Sequence, residues 1–168
     1  MGRGYGPMPS CAGDTSFAIV SAGSMLREYP KQPLVGVGGV VIFRERVLLI
    51  RRGSEPLKGE WSIPGGMLEL GEELTDGVRR ELKEETGLDV EPRACILVFD
   101  RIMREGNRVK YHYVIVDYLC RRIRGRVQPG SDVIDARWVR RQELPQYHLT
   151  DMATRLILRA FEMTQGRQ

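Results

Sequence analysis

The sequence predicts one α/β domain in which flanking helices cover a mixed β-sheet. Apolar, strand-like runs alternate with two amphipathic helical segments, one near the middle of the chain and one near its end. The length of 168 residues suits one domain with a core of ordinary size. Every apolar run is shorter than the roughly 18 residues that a membrane-spanning helix needs, which excludes that class of protein.

The first 33 residues differ in composition from the rest of the chain. Glycine and proline recur through them, which predicts a disordered leader without regular packing. Phe17–Ala22 is apolar, but it is too short for the core of a signal peptide. Met25 offers an alternative start of translation. We therefore assign residues 1–33 to the leader and residues 34–163 to the domain.

The predicted strands are apolar runs bounded by turn residues. Val35–Phe43 and Val47–Ile50 form the first two, joined by a short charged turn. Gly36, Gly38 and Gly39 lack the following helix of a phosphate-binding loop, so they predict a strand that another element approaches closely. A loop rich in glycine and proline follows over residues 52–71, and further strands are predicted at 95–100, 111–120 and 136–139.

Two helices are predicted from their capping residues and apolar stripes. The first runs from Leu74 to Thr86 and ends at Gly87 as its C-terminal cap. The second begins at Thr150 and Asp151, after a short helical or turn segment over residues 140–145. Its core-facing stripe consists of Met152, Leu156 and Ala160.

The chain is weakly basic, with 26 basic and 22 acidic residues and a net charge of +4. Arginine favours bidentate contacts to phosphate, but so small a charge, spread along the chain, does not predict a nucleic-acid-binding protein. The local basic run 121–126 is expected to be a solvated hairpin tip. Three widely spaced cysteines without a CxxC pair argue against a zinc site or disulfide framework and indicate a reducing, cytoplasmic compartment.

Three glutamates lie at unusual positions on the first predicted helix. On a helical wheel Glu85 falls inside the apolar stripe, Glu81 at its edge and Glu84 on the same flank. A carboxylate on a core-facing surface is costly unless positive charge meets it, and hard oxygen ligands suit Mg²⁺ or Mn²⁺. Mg²⁺ shares its shell with substrate phosphates, so a phosphate or diphosphate substrate is expected. A solvated acidic face paired with Arg79 and Arg80 is the alternative.

Residues 66–88 resemble the Nudix box, G-x5-E-x7-R-E-U-x-E-E-x-G-U, at every defined position. The likeness extends to Gly59–Gly66, Tyr111–Cys120 and Arg137–Val139. It implies a Nudix hydrolase with an α/β/α sandwich and a mixed sheet. The compact box and the Tyr111–Cys120 strand are similar to those of small bacterial proteins described as ADP-ribose pyrophosphatase-like.

The resemblance also implies roles for particular residues. A divalent metal, Mg²⁺ or else Mn²⁺, is expected to bind Glu81, Glu84 and Glu85 together with the backbone carbonyl of Gly65. Arg80 is expected to orient the box glutamates, and Glu72 to support the loop or a metal-bound water. Gly66, beside the preceding glycine, lets backbone and diphosphate approach closely.

The identity of the general base is left open by the sequence. Relatives use either a box glutamate or a carboxylate on a later loop, which leaves Glu84, Asp132 and Asp135 as candidates. Either aspartate is equally well explained as a turn former beside residues 129–131. The implied reaction is hydrolysis of a nucleoside diphosphate linked to another group.

Aromatic and basic side chains are the candidates for substrate contacts. Arg51 and Arg52 follow the second strand and are placed to meet phosphate or ribose, or simply to be exposed. The aromatic candidates for stacking on a base are Trp61, Phe99, Tyr111 and Tyr113. For the two tyrosines, which share one face of a strand, core packing is an equal alternative.

The favoured substrate is ADP-ribose or a similar nucleotide sugar, giving AMP and a sugar phosphate. A pyrophosphohydrolase of ordinary or modified nucleoside triphosphates is the second hypothesis, and a non-catalytic nucleotide sensor is the third. The expected partner is a small-molecule nucleotide, with neither nucleic acid nor membrane involved. A homodimer is expected from the resemblance alone.

Overall fold

The structure is a computed structural model that describes residues 27–55, 57–130 and 132–165. In chain order the elements are β1 (Leu34–Phe43), β2 (Arg46–Arg52), β3 (Trp61–Ser62), β4 (Gly65–Met67), α1 (Leu74–Thr86), β5 (Asp89–Glu105), β6 (Arg108–Arg124), β7 (Val133–Arg140), a 3₁₀ helix (Arg141–Tyr147) and α2 (Asp151–Gln165). Neither helix of this described part has the length and apolar character needed to cross a membrane.

The seven strands form one mixed sheet around β1 and β2. The main path runs β3-β2-β1-β6-β5, while β4 pairs with β1 and β7 pairs with β2. The pairing of β1 with β6 is parallel, and the other pairings are antiparallel. The predicted α/β class with a mixed sheet is therefore confirmed.

Alternating side chains of β1 and β2 divide the core into two layers. Val37, Val41 and Leu48 face α1, where Val78 and Leu82 cover them. Side chains of the opposite parity face α2 and belong to the second layer, which contains Val40, Val47, Leu49, Leu156, Ile157, Ala160 and Phe161. Helices thus cover both faces of the sheet, as the sandwich architecture requires.

The boundaries of α1 agree with the prediction, whereas several strand boundaries do not. Gly87 has a φ of 72° and donates its N–H to the carbonyl of Lys83 at 2.9 Å, which ends the helix. The strands β5 and β6 are each 17 residues long because they continue into charged segments that an apolar pattern does not detect. The predicted loop 52–71 also contains the short strands β3 and β4.

The basic run Arg121–Arg126 is not a hairpin tip, contrary to the prediction. Its first four residues belong to β6 and pair with β5, and the hairpin connection lies at the other end of these strands. Arg121 donates to Glu91 at 2.9 Å, and Arg124 donates to Asp89 at 2.6 Å. Cross-strand ion pairs therefore extend the hairpin beyond its apolar centre.

The end of the predicted leader lies against the hairpin of β5 and β6. The N–H of Tyr29 donates to the carbonyl of Lys110 at 2.8 Å. The hydroxyl of Tyr111 donates to the carboxylate of Glu28 at 2.5 Å. The rest of the predicted leader, including the alternative start of translation, lies in residues 1–26, outside the described residues.

Candidate active site

Arg80 joins the loop before α1 to the acidic face of that helix. Its Nε and Nη2 donate to the two carboxylate oxygens of Glu72 at 2.8 and 2.9 Å, and Nη2 also donates to the carbonyl of Met67 at 2.9 Å. Its Nη1 donates to Glu81 at 2.8 Å and to Glu84 at 3.5 Å. One guanidinium therefore fixes the positions of three carboxylates relative to the loop.

Glu72 is the acid that this network neutralises most completely. Hydrogen bonds from Arg80 and then from the N–H of Glu69, the latter at 3.0 Å, lower the pKa of Glu72 to about 2. The same contact raises the pKa of Arg80. Glu72 is consequently charged at any physiological pH and anchors the loop to the helix.

Two acids within α1 have a raised pKa, in contrast to Glu72, and burial is the main cause. The side chain of Glu81 is 13% exposed, and burial is the largest cause of its raised pKa. Burial also raises the pKa of Glu85 to about 7, and the charges of Glu81 and Asp132 act in the same direction. The N–H of Gly65, which donates to Glu85 at 2.8 Å, and the charge of Arg52 offset this effect only in part.

The two glycines that begin β4 bring the backbone into contact with these acids. A Cβ at Gly66 would lie 2.3 Å from Oε2 of Glu81, and a Cβ at Gly65 would lie 2.3 Å from the carbonyl oxygen of Val37. A larger residue at position 66 would displace Glu81, and one at position 65 would collide with the backbone of β1. The glycines therefore hold peptide groups within reach of the carboxylates.

The acidic face of α1 offers the donor types that a divalent cation prefers. Within the described ranges, no three acidic, histidine or cysteine side chains converge tightly enough to form a metal cluster. The reason is that Glu81 and Glu84 turn toward Arg80, while Glu85 accepts the N–H of Gly65. All of these donors are hard oxygens, and the raised pKa of Glu85 marks an acid that lacks full compensation, so the set fits Mg²⁺ or Mn²⁺.

The loop before β7 is bound to the last turn of α1. The N–H of Gln128 donates to the carbonyl of Thr86 at 2.9 Å, and the N–H of Gly130 donates to the carbonyl of Glu85 at 3.0 Å. Asp132 follows in this loop, and its side chain is exposed. The charge of Asp132 raises the pKa of Glu85, so this aspartate influences the acidic face of α1 although the two residues are far apart in the sequence.

Asp135 lies in the strand β7 and not in the loop where the sequence analysis expected it. Its partner in the sheet is Arg51 of β2. Nε of Arg137 donates to Oδ2 of the Asp135 carboxylate at 2.8 Å, and Nη2 lies 2.6 Å from the same oxygen in an ion pair. This ion pair neutralises Asp135, whereas Asp132 is exposed in the loop, so the two aspartate candidates for the base occupy different electrostatic environments.

A cavity of about 140 Å³ opens beside β4. This volume is many times the space that one buried water molecule needs, so it admits an organic group. Gly65 and Gly66 line this cavity, and the same two glycines lie against Glu85 and Glu81 of α1, so they join the cavity to the acidic face of the helix. The apolar walls of the cavity include Ile63, Phe99, Tyr113, Ile115 and Leu156.

Comparison with known proteins identifies the family of this chain. The NUDIX domain family matches residues 32–161, which include the whole of the box and every strand and helix except the last residues of α2. The chain belongs to the Nudix family. The predicted membership is thereby confirmed.

This Nudix chain is similar both to named proteins and to solved structures. An ADP-ribose pyrophosphatase from Methanocaldococcus jannaschii is 32% identical over 114 residues. The match covers 68% of this chain and 66% of that protein, which is just under two thirds of its length. The crystal structure of a MutT NUDIX hydrolase from Burkholderia pseudomallei has a TM-score of 0.68 at 29% identity and covers 77% of this chain and 98% of that one. The NUDIX domain of NrtR from Shewanella oneidensis, in complex with ADP-ribose, has a TM-score of 0.64 at 25% identity, with coverages of 80% and 90%.

The two arginines at the end of β2 in this Nudix domain have different surroundings. Arg52 lines the cavity, and its charge acts on Glu85. Arg51 is exposed, and its Nε donates to the carbonyl of Gly59 at 2.9 Å, which fixes the loop after β2. Of this pair, the structure brings Arg52 to the candidate site.

The aromatic candidates divide in the same way. Phe99 and Tyr113 line the cavity. The ring of Trp61 packs edge-on against Tyr147, with 5.0 Å between the ring centroids. Tyr111 is 7% exposed and stacks on Tyr113. Its hydroxyl donates to Glu28, which precedes β1.

Three charged residues that the sequence analysis did not select also line the cavity, and one of them is Arg27, which precedes β1. The other two, Arg101 of β5 and Asp117 of β6, also face the cavity. A signal for Asp117 exists in the sequence, because every second residue of β6 from Tyr113 to Leu119 shares one face of the sheet. An aspartate in that otherwise apolar series is unexpected unless the face borders a binding site.

Proposed function

We propose that this Nudix domain hydrolyses the diphosphate bond of ADP-ribose or a similar nucleotide sugar in a Mg²⁺-dependent reaction. The observation that carries this proposal is that Gly65 and Gly66 both line the apolar cavity and lie against Glu85 and Glu81 of α1. A diphosphate along the glycines would lie beside the acids, with a nucleoside in the cavity. The ADP-ribose pyrophosphatase relative and the ADP-ribose complex described above support this choice of substrate.

The cation is proposed to bind Glu81, Glu84 and Glu85 with the carbonyl of Gly65, and Mn²⁺ is proposed as a substitute for Mg²⁺. When bound, it supplies positive charge that neutralises the diphosphate and lowers the pKa of the attacking water. The partly compensated burial of Glu85 supports this site, because a nearby cation would restore the ionised form of that acid.

Residues of the chain itself are proposed to orient the reactants and to accept the proton of the water. Arg80 holds Glu81 and Glu84 in position, and Arg52 provides positive charge at the cavity edge for a phosphate. Asp132 is the favoured base, because Asp135 is already paired with an arginine. Glu84 is the alternative base, since its side chain is 59% exposed and its contact to Arg80 is long.

A product analysis of the full chain with Mg²⁺ tests the proposal. The substrates are ADP-ribose, other nucleotide sugars, and ordinary and oxidised nucleoside triphosphates, with products separated by chromatography. The expected products are AMP and ribose phosphate. Nucleoside monophosphate and pyrophosphate from a triphosphate would assign the pyrophosphohydrolase activity instead. Nucleotide binding without turnover of any substrate would assign a sensor.

The same proposal includes a small-molecule nucleotide as the partner, a cytoplasmic location and a homodimer. Free thiols at Cys95 and Cys120 suit a reducing compartment. Sedimentation of the purified full chain measures the oligomeric state, and a mass of one chain would reject the homodimer.

A further inference from the structure

Asp117 is a buried acid that the proposed reaction does not use. The residue is 2% exposed and lies opposite Gly38 in the parallel pairing of β6 with β1. A Cβ at Gly38 would lie 2.2 Å from Oδ1 of Asp117. The carboxyl group therefore occupies space that exists because residue 38 is a glycine.

The carboxyl group of Asp117 is open to the cavity and receives no hydrogen bond from the described residues. Burial is the main influence on its pKa, which rises to about 7, and the charge of Arg101 opposes this rise without a hydrogen bond. Among the described side chains, no fully enclosed oxygen or nitrogen lacks a hydrogen-bond partner. The oxygens of Asp117 must therefore reach the cavity that the residue lines.

The surroundings of Asp117 make a purely structural role unfavourable. Tyr113 and Ile115 lie on the same face of β6, and in the sheet they are opposite Arg101 and Phe99 of β5. A buried acid among such neighbours destabilises the fold unless it is hydrogen-bonded, and buried polar groups in proteins normally have partners. The missing partner points to a ligand that carries an N–H donor.

We propose that Asp117 determines the base specificity of the enzyme by accepting a hydrogen bond from the exocyclic amino group of adenine in the cavity. This inference rests on the proposed function and names the part of the substrate that the cavity selects. Phe99 and Tyr113 provide aromatic surface for the flat base. Two strand spacings, about 10 Å in all, separate β6 from β4, so the diphosphate of the same nucleotide extends toward Gly65 and Gly66.

Hypoxanthine distinguishes this role from general binding of purines. Its 6-position carries a carbonyl oxygen, an acceptor that meets the acceptor oxygens of Asp117 unfavourably. A site built to bond a polar group of its substrate rejects an analogue that lacks the group, because its own buried group then has no partner. At a pH above about 8, where the Asp117 carboxyl is ionised and can only accept, we therefore expect kcat/KM for ADP-ribose to exceed that for inosine diphosphate ribose by about 100-fold or more.

Two substitutions test the proposal from opposite directions. Asp117→Leu replaces the acceptor with a larger apolar side chain beside the cavity, so it should lower kcat/KM for ADP-ribose at least tenfold, mainly through KM. Asp117→Asn, the change of nearly equal volume, supplies an amide that also donates, so it should raise kcat/KM for inosine diphosphate ribose. Both changes reduce the preference for adenine. Asp100→Asn, an exposed aspartate on the adjacent strand, is the matched control and should keep the wild-type ratio.

Thermal stability and product binding separate recognition from a structural role. Both variants of Asp117 should have a higher Tm than the wild type at pH 8, because they remove an unpartnered buried acid. A lower Tm in both variants, or a base preference that stays within twofold of the wild type in both, would overturn the proposal.

Calorimetric titration with AMP and with IMP measures recognition without turnover. A preference for AMP that disappears in Asp117→Leu supports the proposal even if the wild type leaves ADP-ribose intact, an outcome that rejects only the proposed function. Equal binding of AMP and IMP by the wild type would reject the role of Asp117, whichever substrate is hydrolysed.

Discussion

Two acidic regions of this protein respond differently to their surroundings. Around Arg80, Glu72 has a pKa of about 2, because a guanidinium and a peptide N–H both bond to it. Beside the cavity and on the inner face of α1, Asp117 and Glu85 have pKa values raised to about 7, because burial outweighs the positive charge near them. The acid that is bonded to Arg80 stabilises the fold, whereas the buried acids without an arginine partner are candidates for binding a ligand or a cation.

The difference predicts opposite effects of the same substitution in the two regions. Removing a paired acid takes away bonds that stabilise the fold. Removing an unpaired buried acid relieves the cost of its desolvation and takes away a function instead.

The largest effect is expected for Glu85→Gln. If Glu85 binds the cation, kcat/KM should fall by more than the roughly 100-fold that loss of an outer-sphere partner of a metal can cost. In metal-free buffer the variant should be as stable as the wild type or more stable, because the buried acid is gone. Steady-state kinetics and thermal unfolding measure the two effects.

Glu72→Gln is the matched control for that substitution. It should lower the Tm, because the amide cannot accept the two charged hydrogen bonds from Arg80. Wild-type turnover in Glu85→Gln would remove Glu85 from the metal site. A gain of stability in Glu72→Gln would contradict the distinction between the two regions.

The two loop candidates for the general base are expected to differ in activity. Asp132→Asn should lower kcat about 100-fold, the lower end of what general base catalysis contributes. Asp135→Asn should change kcat little, because that carboxylate is already bonded to Arg137. An unchanged kcat in both variants would exclude both aspartates and leave Glu84 as the base.

Arg80→Ala should destabilise the protein by about 2 kcal/mol, the scale of a charged hydrogen bond in a partly buried network. The side chain of Arg80 is 23% exposed, and Glu72 and Glu81 both lose their guanidinium partner. Arg79→Ala is the neighbouring control, because Arg79 is exposed and pairs with Asp76 on the surface. Chemical denaturation compares the two variants, and similar losses would show that the network contributes nothing beyond a surface pair.

The last effect is a pH dependence that Asp117 contributes to stability. Its pKa is about 7 in the folded protein against an ordinary value of 3.8, so the folded state binds the additional proton between these values. This contribution is present in full below about pH 4 and is lost as the pH rises to 7, by roughly 1 kcal/mol per pH unit. The charge of Arg101 moderates the effect.

Denaturation of the wild type and of Asp117→Asn from pH 5 to pH 8 isolates this contribution, because Glu85 titrates in both proteins. The wild type should lose stability relative to the variant as the pH rises. A difference that is constant with pH would mean that Asp117 is ionised throughout this range.

The sequence was sufficient for the helices, the mixed sheet and the box because each has a strong local signal. The apolar stripe of α1 is interrupted by glutamate and ends at Gly87, so both the element and its unusual face are visible in the sequence. The strands β3 and β4 were missed because strands of two or three residues have no alternation to detect. Their pairing depends on contacts with β1 and β2 that only the fold provides.

Local sequence patterns could not predict which of the candidate residues face the cavity. Arg51 and Arg52 are adjacent in the sequence, yet they face different surroundings, because strand neighbours point to opposite faces. Asp117 was overlooked because its significance depends on the glycine opposite it. That glycine is 79 positions earlier in the sequence, and only the parallel register of β1 with β6 makes the two residues neighbours.

The attachment of the loop before β7 to α1 has a consequence for the design of altered enzymes. The last carbonyls of a helix normally have no partner within the helix, and here those of Glu85 and Thr86 are bonded by the loop. A Cβ at Gly130 would lie 1.9 Å from the carbonyl oxygen of Glu84, so this junction has no room for a side chain. A loop transplanted from another family member will keep the acids of the helix and the loop in register only if it retains this glycine and the spacing of both amides.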